Sequence, residues 1–88
     1  MPTIEDTLYR HPAVLEAAVV AAPHPQLGED VRAFIVLRPG MQVGAEELRA
    51  HCTAFLSTYK IPRDIRFIEA LPRNSMGKVQ KAKLRRMA

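Results

Sequence analysis

The sequence has a single cysteine, and this scarcity excludes two kinds of site. Cys52 cannot form an internal disulfide, and the chain has no Cys-X-X-Cys spacing of the kind that zinc and redox sites use. Its position four residues after Leu48 on an apolar helix stripe predicts a buried, unreactive thiol. The histidines, His11, His24 and His51, are scattered along the sequence without ligand spacing, so no metal site is expected.

Long apolar runs are also missing. No stretch approaches the ~20 apolar residues that a helix needs to cross a bilayer, and the N-terminus carries acids instead of a signal-peptide core. We therefore expect a cytoplasmic protein without a membrane span. The 88 residues allow one compact domain. Such a domain hides only about 60 to 65% of its unfolded surface, which leaves little room for a deep active site.

Positive charge is concentrated in the last third of the chain. Residues 1–59 contain four basic and seven acidic residues, a net charge of −3, whereas residues 60–88 contain nine basic and two acidic residues, a net charge of +7. Such a cluster suits nucleic acid, an acidic membrane surface or a phosphorylated small molecule, and a solvated face without a partner explains it equally well. The nucleic-acid alternative lacks the interleaved aromatic residues that such proteins use.

The apolar pattern predicts an α+β domain. Residues 14–22 and 33–37 are nearly unbroken apolar runs, and we expect them to pair as an antiparallel hairpin with a loop of about eight residues. The second run should be covered on both faces of the sheet. A third short strand is predicted over residues 64–70, where Ile65 and Phe67 alternate with polar residues. The expected fold is therefore a small three-stranded sheet packed with helices.

Three helices are predicted to cover this sheet. Thr3 is a suitable N-cap for a short first helix that ends near His11. Residues from 79 onward are strong helix formers that follow a loop over residues 72–77. A middle helix over residues 45–59 is indicated by apolar residues on one stripe, namely Leu48, Cys52, Phe55, Leu56 and Tyr59.

Short segments in a fixed order resemble one protein family across the whole chain. These segments are Pro12-Ala-Val14, Pro23-His24-Pro25, Leu27-Gly28-Glu29, Ala33-Phe34-Ile-Val36, Tyr59-Lys60-Ile61-Pro62, Leu71-Pro72-Arg73-Asn74, Gly77-Lys78-Val79 and Leu84-Arg85. Together they resemble the C-terminal domain of the superfamily of acyl-CoA synthetases, adenylation domains and luciferases. The sequence of the loop around Lys78 most resembles that of malonyl-CoA and related small-acid synthetases, although Met76 stands where a small hydroxyl residue is commoner.

The resemblance implies that residues 1–88 are the mobile C-terminal lid of an ATP-dependent, AMP-forming acyl-CoA ligase. Such enzymes convert a carboxylic acid and ATP to an acyl-adenylate, which coenzyme A then converts to a thioester. The large N-terminal adenylation domain, which holds ATP, Mg²⁺ and the acid, and the hinge are absent from this sequence. The chain alone is therefore expected to be inactive and to bind none of these cofactors.

The resemblance assigns Lys78 as the catalytic lysine of adenylation, with Gly77 and Arg73 in the supporting loop. An ammonium group suits the negative charge that develops on the α-phosphate oxygens during attack. Gly77, which has no Cβ, lets the backbone turn so that the lysine projects. Without the resemblance, Lys78 would be interpreted as a surface lysine at the start of a helix.

The same resemblance assigns Tyr59, Lys60 and Arg63 to part of the coenzyme A site. An aromatic ring there stacks on adenine, and cations neutralise phosphate. The alternative for Tyr59 is core packing, because this residue also completes the apolar stripe of the middle helix. These cations modestly favour coenzyme A over a carrier protein as the acyl acceptor.

Two alternatives to the acyl-CoA ligase stay open at this point. One is the lid of an adenylation domain that loads a carrier protein, and the other is a basic module that binds nucleic acid. We expect neither nucleic acid nor membrane as a partner. A lysine acetyltransferase that neutralises Lys78 is a further expected partner, because acetylation would remove the charge that adenylation needs.

Overall fold

A computed structural model describes residues 3–26, 28–56 and 60–87. Its elements in chain order are helix α1 (Ile4–Tyr9), strands β1 (Val14–His24) and β2 (Gly28–Leu37), helix α2 (Ala45–Thr53), strand β3 (Asp64–Phe67) and helix α3 (Lys81–Arg86). The predicted α+β class, with a three-stranded sheet and helices packed on it, is confirmed.

The strands lie in the order β1-β2-β3, with β1 and β2 antiparallel and β2 and β3 parallel. The predicted eight-residue loop between the first two strands is wrong, because pairing continues to His24 and Gly28. The apolar runs mark only the buried part of this hairpin. Beyond them the backbone ladder continues through polar residues, and Gly28 begins β2 at a φ of +82°.

Both faces of the sheet are covered, as the apolar strands predicted. One face packs against α1 and α2 in a cluster of Leu8, Val14, Ala17, Ala33, Ile35, Leu48, Cys52 and Ile65. The other face packs against α3 and the segment before it in a cluster of Ala18, Val20, Phe34, Val36, Leu71 and Leu84. The segment that carries the basic residues is therefore held on the opposite side of the sheet from α1 and α2.

Helix α1 begins at its predicted cap. The Thr3 hydroxyl accepts a hydrogen bond from the Asp6 N–H at 3.0 Å, and the Asp6 carboxylate accepts one from the Thr3 N–H, which together form a capping box. Helix α3 begins at Lys81, two residues later than predicted. The delay has a physical cause, because Val79 is engaged in a β-bridge with Arg73.

Helix α2 is shorter than its apolar stripe predicted. It ends at Thr53, where the chain leaves the α-helical path, and the Phe55 N–H donates to the Cys52 carbonyl at 3.0 Å. Leu48 and Cys52 are fully buried, but Phe55 is 47% exposed, so the stripe does not continue through it. The third strand likewise ends early, at Phe67, where its ladder with β2 stops.

Candidate functional site

Lys78 lies on a tight hairpin between the sheet and α3. The Asn74 N–H donates to the Lys78 carbonyl at 3.0 Å, and the Gly77 N–H donates to the Asn74 carbonyl at 2.9 Å. The Asn74 side-chain oxygen also accepts from the N–H groups of Met76 and Lys78, at 2.9 and 3.0 Å. Gly77 has a φ of +81°, a conformation that residues with a Cβ rarely adopt. The turn thus depends on one asparagine and one glycine.

The Lys78 side chain is exposed, and in the described part of the chain its ammonium group has no ion pair or hydrogen bond. Two other cations near it in sequence are neutralised. Arg73 pairs with Glu16 on β1, and Lys81 pairs with Glu5 on α1 at 3.0 Å. The hairpin therefore presents one cation that is available to an anionic group.

Arg73 connects this hairpin to the sheet. One of its terminal N–H groups donates to the Gly77 carbonyl at 2.7 Å, and the other pairs with the carboxylate of Glu16. The structure thus brings together Arg73, Gly77 and Lys78. Sequence reasoning missed Glu16 as a partner in this group. The available signal was its charge, because Glu16 alone interrupts the apolar run over residues 14–22.

Of the residues assigned to coenzyme A, Arg63 lies near the other end of the β1–β2 hairpin, where it contacts β2. Tyr59 falls outside the described residues, and Lys60 is partly buried. Arg63 is exposed just before β3; its N–H donates to the Val31 carbonyl at 3.2 Å, and its guanidinium group lies 3.8 Å from the Asp30 carboxylate. This long ion pair leaves the Arg63 guanidinium group open to a competing anion.

An open cavity of about 420 Å³ adjoins this region, lined by Arg49, Ile61, Pro62 and Arg63. Arg49 on α2 determines the shape of its wall. Its Nε–H donates to the Pro62 carbonyl at 3.2 Å, and a terminal N–H donates to the Arg63 carbonyl. A third contact pairs Arg49 with Glu46, so its own charge is already compensated.

The two groups of candidate residues are attached to different ends of the β1–β2 hairpin, one to β1 and the other to β2. The Lys78 hairpin is tied to Glu16, whereas Arg63 is paired with Asp30, whose partner across the ladder is Ala22. Glu16 and Ala22 are six residues apart on β1, which corresponds to about 20 Å of extended chain. The domain thus carries two cationic regions that a single small ligand would not contact together.

A charged cluster also joins β2 to β3. Burial tends to raise the pKa of Asp64, but hydrogen bonds and charge attraction from Arg66 and Arg32 outweigh it and hold that pKa below its usual range. Arg32 further donates to the Met87 carbonyl at 3.3 Å, at the end of α3. This cluster ties the basic C-terminal segment to the sheet.

Two histidines that are far apart in the sequence meet where α1 and α2 contact each other. The rings of His11 and His51 lie 5.3 Å apart. The Ala13 N–H donates to His11 Nδ1, which leaves the proton on Nε2 for its 2.9 Å bond to Glu47. Within the described residues, no group of three or more His, Cys, Asp or Glu residues is placed to hold a metal ion.

The cysteine prediction agrees with the packing. Cys52 is free and fully buried in the cluster beneath α2. Burial raises the pKa of its thiol, which disfavours the reactive thiolate. None of the described helices is long and apolar enough to cross a membrane.

Comparisons with known proteins point to one family. Residues 3–78 match the family described as AMP-binding enzyme C-terminal domain. A sulfoacetate–CoA ligase of Cupriavidus necator is 47% identical over 81 residues, which are 92% of this chain and 16% of the relative. A peroxisomal trans-cinnamate:CoA ligase of Petunia hybrida is 39% identical over 85 residues, which are 97% of this chain and 15% of the relative. The chain thus spans about one sixth of the length of these curated relatives.

Solved structures agree in fold. A crystal structure of a Brucella canis acyl-CoA synthetase matches with a TM-score of 0.88 and 45% identity, covering 94% of this chain and 16% of that one. An amide bond synthetase of Marinactinospora thermotolerans matches with a TM-score of 0.90 and 37% identity, covering 94% and 17%. The same small fold therefore occurs in enzymes whose names indicate different acyl acceptors.

Proposed function

The chain belongs to the AMP-binding enzyme C-terminal domain family, and from this premise we propose that it is the mobile lid of an ATP-dependent, AMP-forming acyl-CoA ligase. In the proposed enzyme, a large N-terminal adenylation domain binds a carboxylic acid, ATP and Mg²⁺, and coenzyme A receives the acyl group. The lid alone is inactive in this proposal, and the enzyme is cytoplasmic. The two curated relatives described above match the chain over more than nine-tenths of its length and are named as CoA ligases, which supports the proposal.

The single observation that carries the catalytic part of the proposal is the available charge of Lys78. When the acid attacks ATP, a bond forms between a carboxylate oxygen and the α-phosphorus, the bond to pyrophosphate breaks, and negative charge grows on the nonbridging oxygens. Lys78 offers three N–H donors on a flexible stem and has no competing acid in the described part of the chain. It is therefore suited to stabilise that charge.

The described residues fit phosphate better than they fit magnesium. Cations line the segment from Arg73 to Arg86, and Glu16 and Glu5, the acids that reach it, are each engaged by a cation. In the described part of the chain, no group of three or more His, Cys, Asp or Glu residues is placed to hold a metal ion. We therefore assign Mg²⁺ to the large domain and assign the contact to the α-phosphate to Lys78.

The second cationic region supports a role for this domain in binding coenzyme A. Arg63 is exposed and only loosely paired, and Lys60 lies three residues before it. A phosphate group that approaches Arg63 competes only with the 3.8 Å ion pair to Asp30, and an exposed ion pair of this length is weak. Because the two regions are attached to different ends of the β1–β2 hairpin, we propose that the lid turns between the half-reactions, presenting Lys78 first and Arg63 second.

A different acyl acceptor is the second candidate, and one observation favours it. The amide bond synthetase shares this fold and 37% sequence identity, so the fold does not by itself specify coenzyme A. A lid of an adenylation domain that loads a carrier protein belongs to the same group of alternatives. Incubating the acyl-adenylate-loaded enzyme with coenzyme A, an amine or a carrier protein, and identifying the product by mass spectrometry, distinguishes them.

Acetylation of Lys78 is part of the proposal because the ammonium group is exposed and its charge is the feature on which adenylation depends. A lysine acetyltransferase would then act as a regulatory partner.

The experiment that tests the proposed function separates the two half-reactions in the full-length ligase. Lys78→Ala should remove acyl-adenylate formation and leave thioester formation from preformed acyl-adenylate intact.

A further inference from the structure

We propose that Glu16 is a positioning residue for Lys78, acting through Arg73 on the carbonyl group of Gly77. The inference rests on the proposed role of Lys78 in adenylation. Glu16 and Arg73 are 57 residues apart in sequence, and their side chains meet at the edge strand β1. The Glu16 carboxylate does not contact substrate in this proposal. It fixes Arg73, and Arg73 in turn fixes the loop that carries Lys78.

Arg73 contacts Glu16 and Gly77 through the two ends of one guanidinium group. Its guanidinium group is planar and rigid, so fixing one terminal nitrogen on Glu16 also fixes the direction of the other. That other nitrogen donates to the Gly77 carbonyl at 2.7 Å. The Glu16 side chain is only 28% exposed on β1, which gives Arg73 a firm anchor. The pair therefore acts as a two-point clamp.

The carbonyl that Arg73 holds is that of Gly77. It belongs to the peptide unit that joins Gly77 to Lys78, so its direction sets the plane from which the lysine side chain leaves. Gly77 is the weakest point of the hairpin, because a glycine at a φ of +81° has many other conformations available. No atom of a residue other than its two chain neighbours lies within 4 Å of where its Cβ would be, so side-chain packing does not restrict it. The Lys78 N–H of this peptide unit donates to the Asn74 side chain, and Arg73 adds a second restraint at the Gly77 carbonyl.

A second ion pair gives a natural control. Lys81 and Glu5 form a 3.0 Å pair with side-chain exposures of 44% and 34%, similar to those of Arg73 and Glu16. Neither side chain has a hydrogen bond to the hairpin among those described. Substituting Glu5 removes the same charge and a comparable surface contact while leaving the clamp in place.

The test compares Glu16→Gln with Glu5→Gln in the full-length ligase. We expect Glu16→Gln to lower the rate constant of pyrophosphate exchange by roughly threefold to tenfold, with the KM for ATP unchanged. Thioester formation from preformed acyl-adenylate should stay at the parental rate, because Lys78 is not used in that step. Glu5→Gln should stay within about twofold of the parent in both half-reactions.

The adenylation rate of a double variant of Glu16 and Arg73 distinguishes a positioning role of Glu16 from a purely structural one. If Glu16 acts through Arg73, the double variant Glu16→Gln/Arg73→Gln is no slower than Arg73→Gln alone. Additive losses would overturn the inference. If Glu16→Gln does not fold, Arg73→Lys tests the same point, because lysine keeps an ion pair with Glu16 but has no rigid fork to reach Gly77. A parental adenylation rate in Arg73→Lys would also overturn it.

Failure of this inference is distinguishable from failure of the proposed function. If Lys78→Ala abolishes adenylation but Glu16→Gln behaves like Glu5→Gln, Glu16 is not a positioning residue and the role of Lys78 stands. If Lys78→Ala leaves adenylation intact, the proposed function fails and the inference fails with it.

Discussion

Arg32 and Asp64 face each other across the parallel pair β2–β3, and the Arg32 Nε–H donates to the Asp64 carboxylate at 2.8 Å. Arg66 contacts the same carboxylate from two residues along β3. Arg32 also reaches the end of α3, so the two arginines that share this carboxylate connect both strands with the C-terminal segment. The stability of the lid should therefore depend on the charge of Asp64.

The first prediction concerns this carboxylate. Its folded-state pKa is depressed, so its contribution is fully present above the unfolded-state pKa, near 4, and is lost as pH falls through the folded-state value. Asp64→Asn should lower the free energy of unfolding at pH 7 by up to about 1 kcal/mol, a small effect because the side chain is partly exposed. Urea unfolding at pH 7 and at low pH measures it.

The difference between Asp64→Asn and the parent should shrink as pH falls below about 4. Glu69→Gln, an exposed change of the same charge, is the matched control and should have little effect at either pH. A gap that stayed constant with pH would show that the charge of Asp64 is not what stabilises the lid.

The second prediction concerns Gly77. Gly77→Ala forces a side chain into a φ of +81°, which should cost about 1 kcal/mol of stability by backbone strain alone, since no atom of a residue other than its two chain neighbours lies within 4 Å of the new Cβ. Gly40→Ala, at a φ of +77° in the loop between β2 and α2, should cost a similar amount. Only Gly77→Ala should also slow pyrophosphate exchange. Equal exchange rates in the two variants would contradict a role for Gly77 in presenting Lys78.

The third prediction concerns acetylation. Full-length ligase acetylated at Lys78 should lose pyrophosphate exchange, because the amide has no charge to offer the α-phosphate oxygens. Thioester formation from preformed acyl-adenylate should persist. Lys78→Arg keeps a positive charge but cannot be acetylated, so its exchange rate should not respond to the acetyltransferase treatment. Identical rates for acetylated and unmodified enzyme would reject the regulatory role.

The fourth prediction concerns Arg63. Arg63→Ala should raise the KM for coenzyme A by roughly fivefold to tenfold, through loss of a charge-assisted contact to phosphate, and leave pyrophosphate exchange unchanged. Arg38→Ala removes another exposed cation, just after β2, and serves as the control. An unchanged KM for coenzyme A in Arg63→Ala would remove this residue from the acceptor site.

Much of the fold was predictable because its signals are local. The capping box needs only Thr3 and Asp6, which are three residues apart. The apolar composition of the strands by itself predicts that they are buried. The first and last residues of the strands and helices were less predictable. β1 and β2 extend beyond their apolar runs because backbone hydrogen bonds do not require apolar side chains. The end of α2 was predicted too late because the helical spacing of apolar residues continues past Thr53, whereas the helix itself ends there.

The candidate site was predictable only in part. Lys78 came from the resemblance of its loop to a family, since composition alone makes it one of several C-terminal cations. The contact between Glu16 and Arg73 joins residues 57 positions apart, and nothing in one sequence pairs them. The meeting of His11 and His51 was hidden for the same reason, since it depends on how α1 packs against α2.

The most direct test of the central claim is pyrophosphate exchange by the full-length ligase carrying Lys78→Ala, with Lys83→Ala on α3 as an exposed control. We expect Lys78→Ala to slow exchange by roughly 10² to 10³, as removal of one preorganised donor does elsewhere, while thioester formation from preformed acyl-adenylate and the behaviour of Lys83→Ala stay parental. A normal exchange rate in Lys78→Ala would contradict the account.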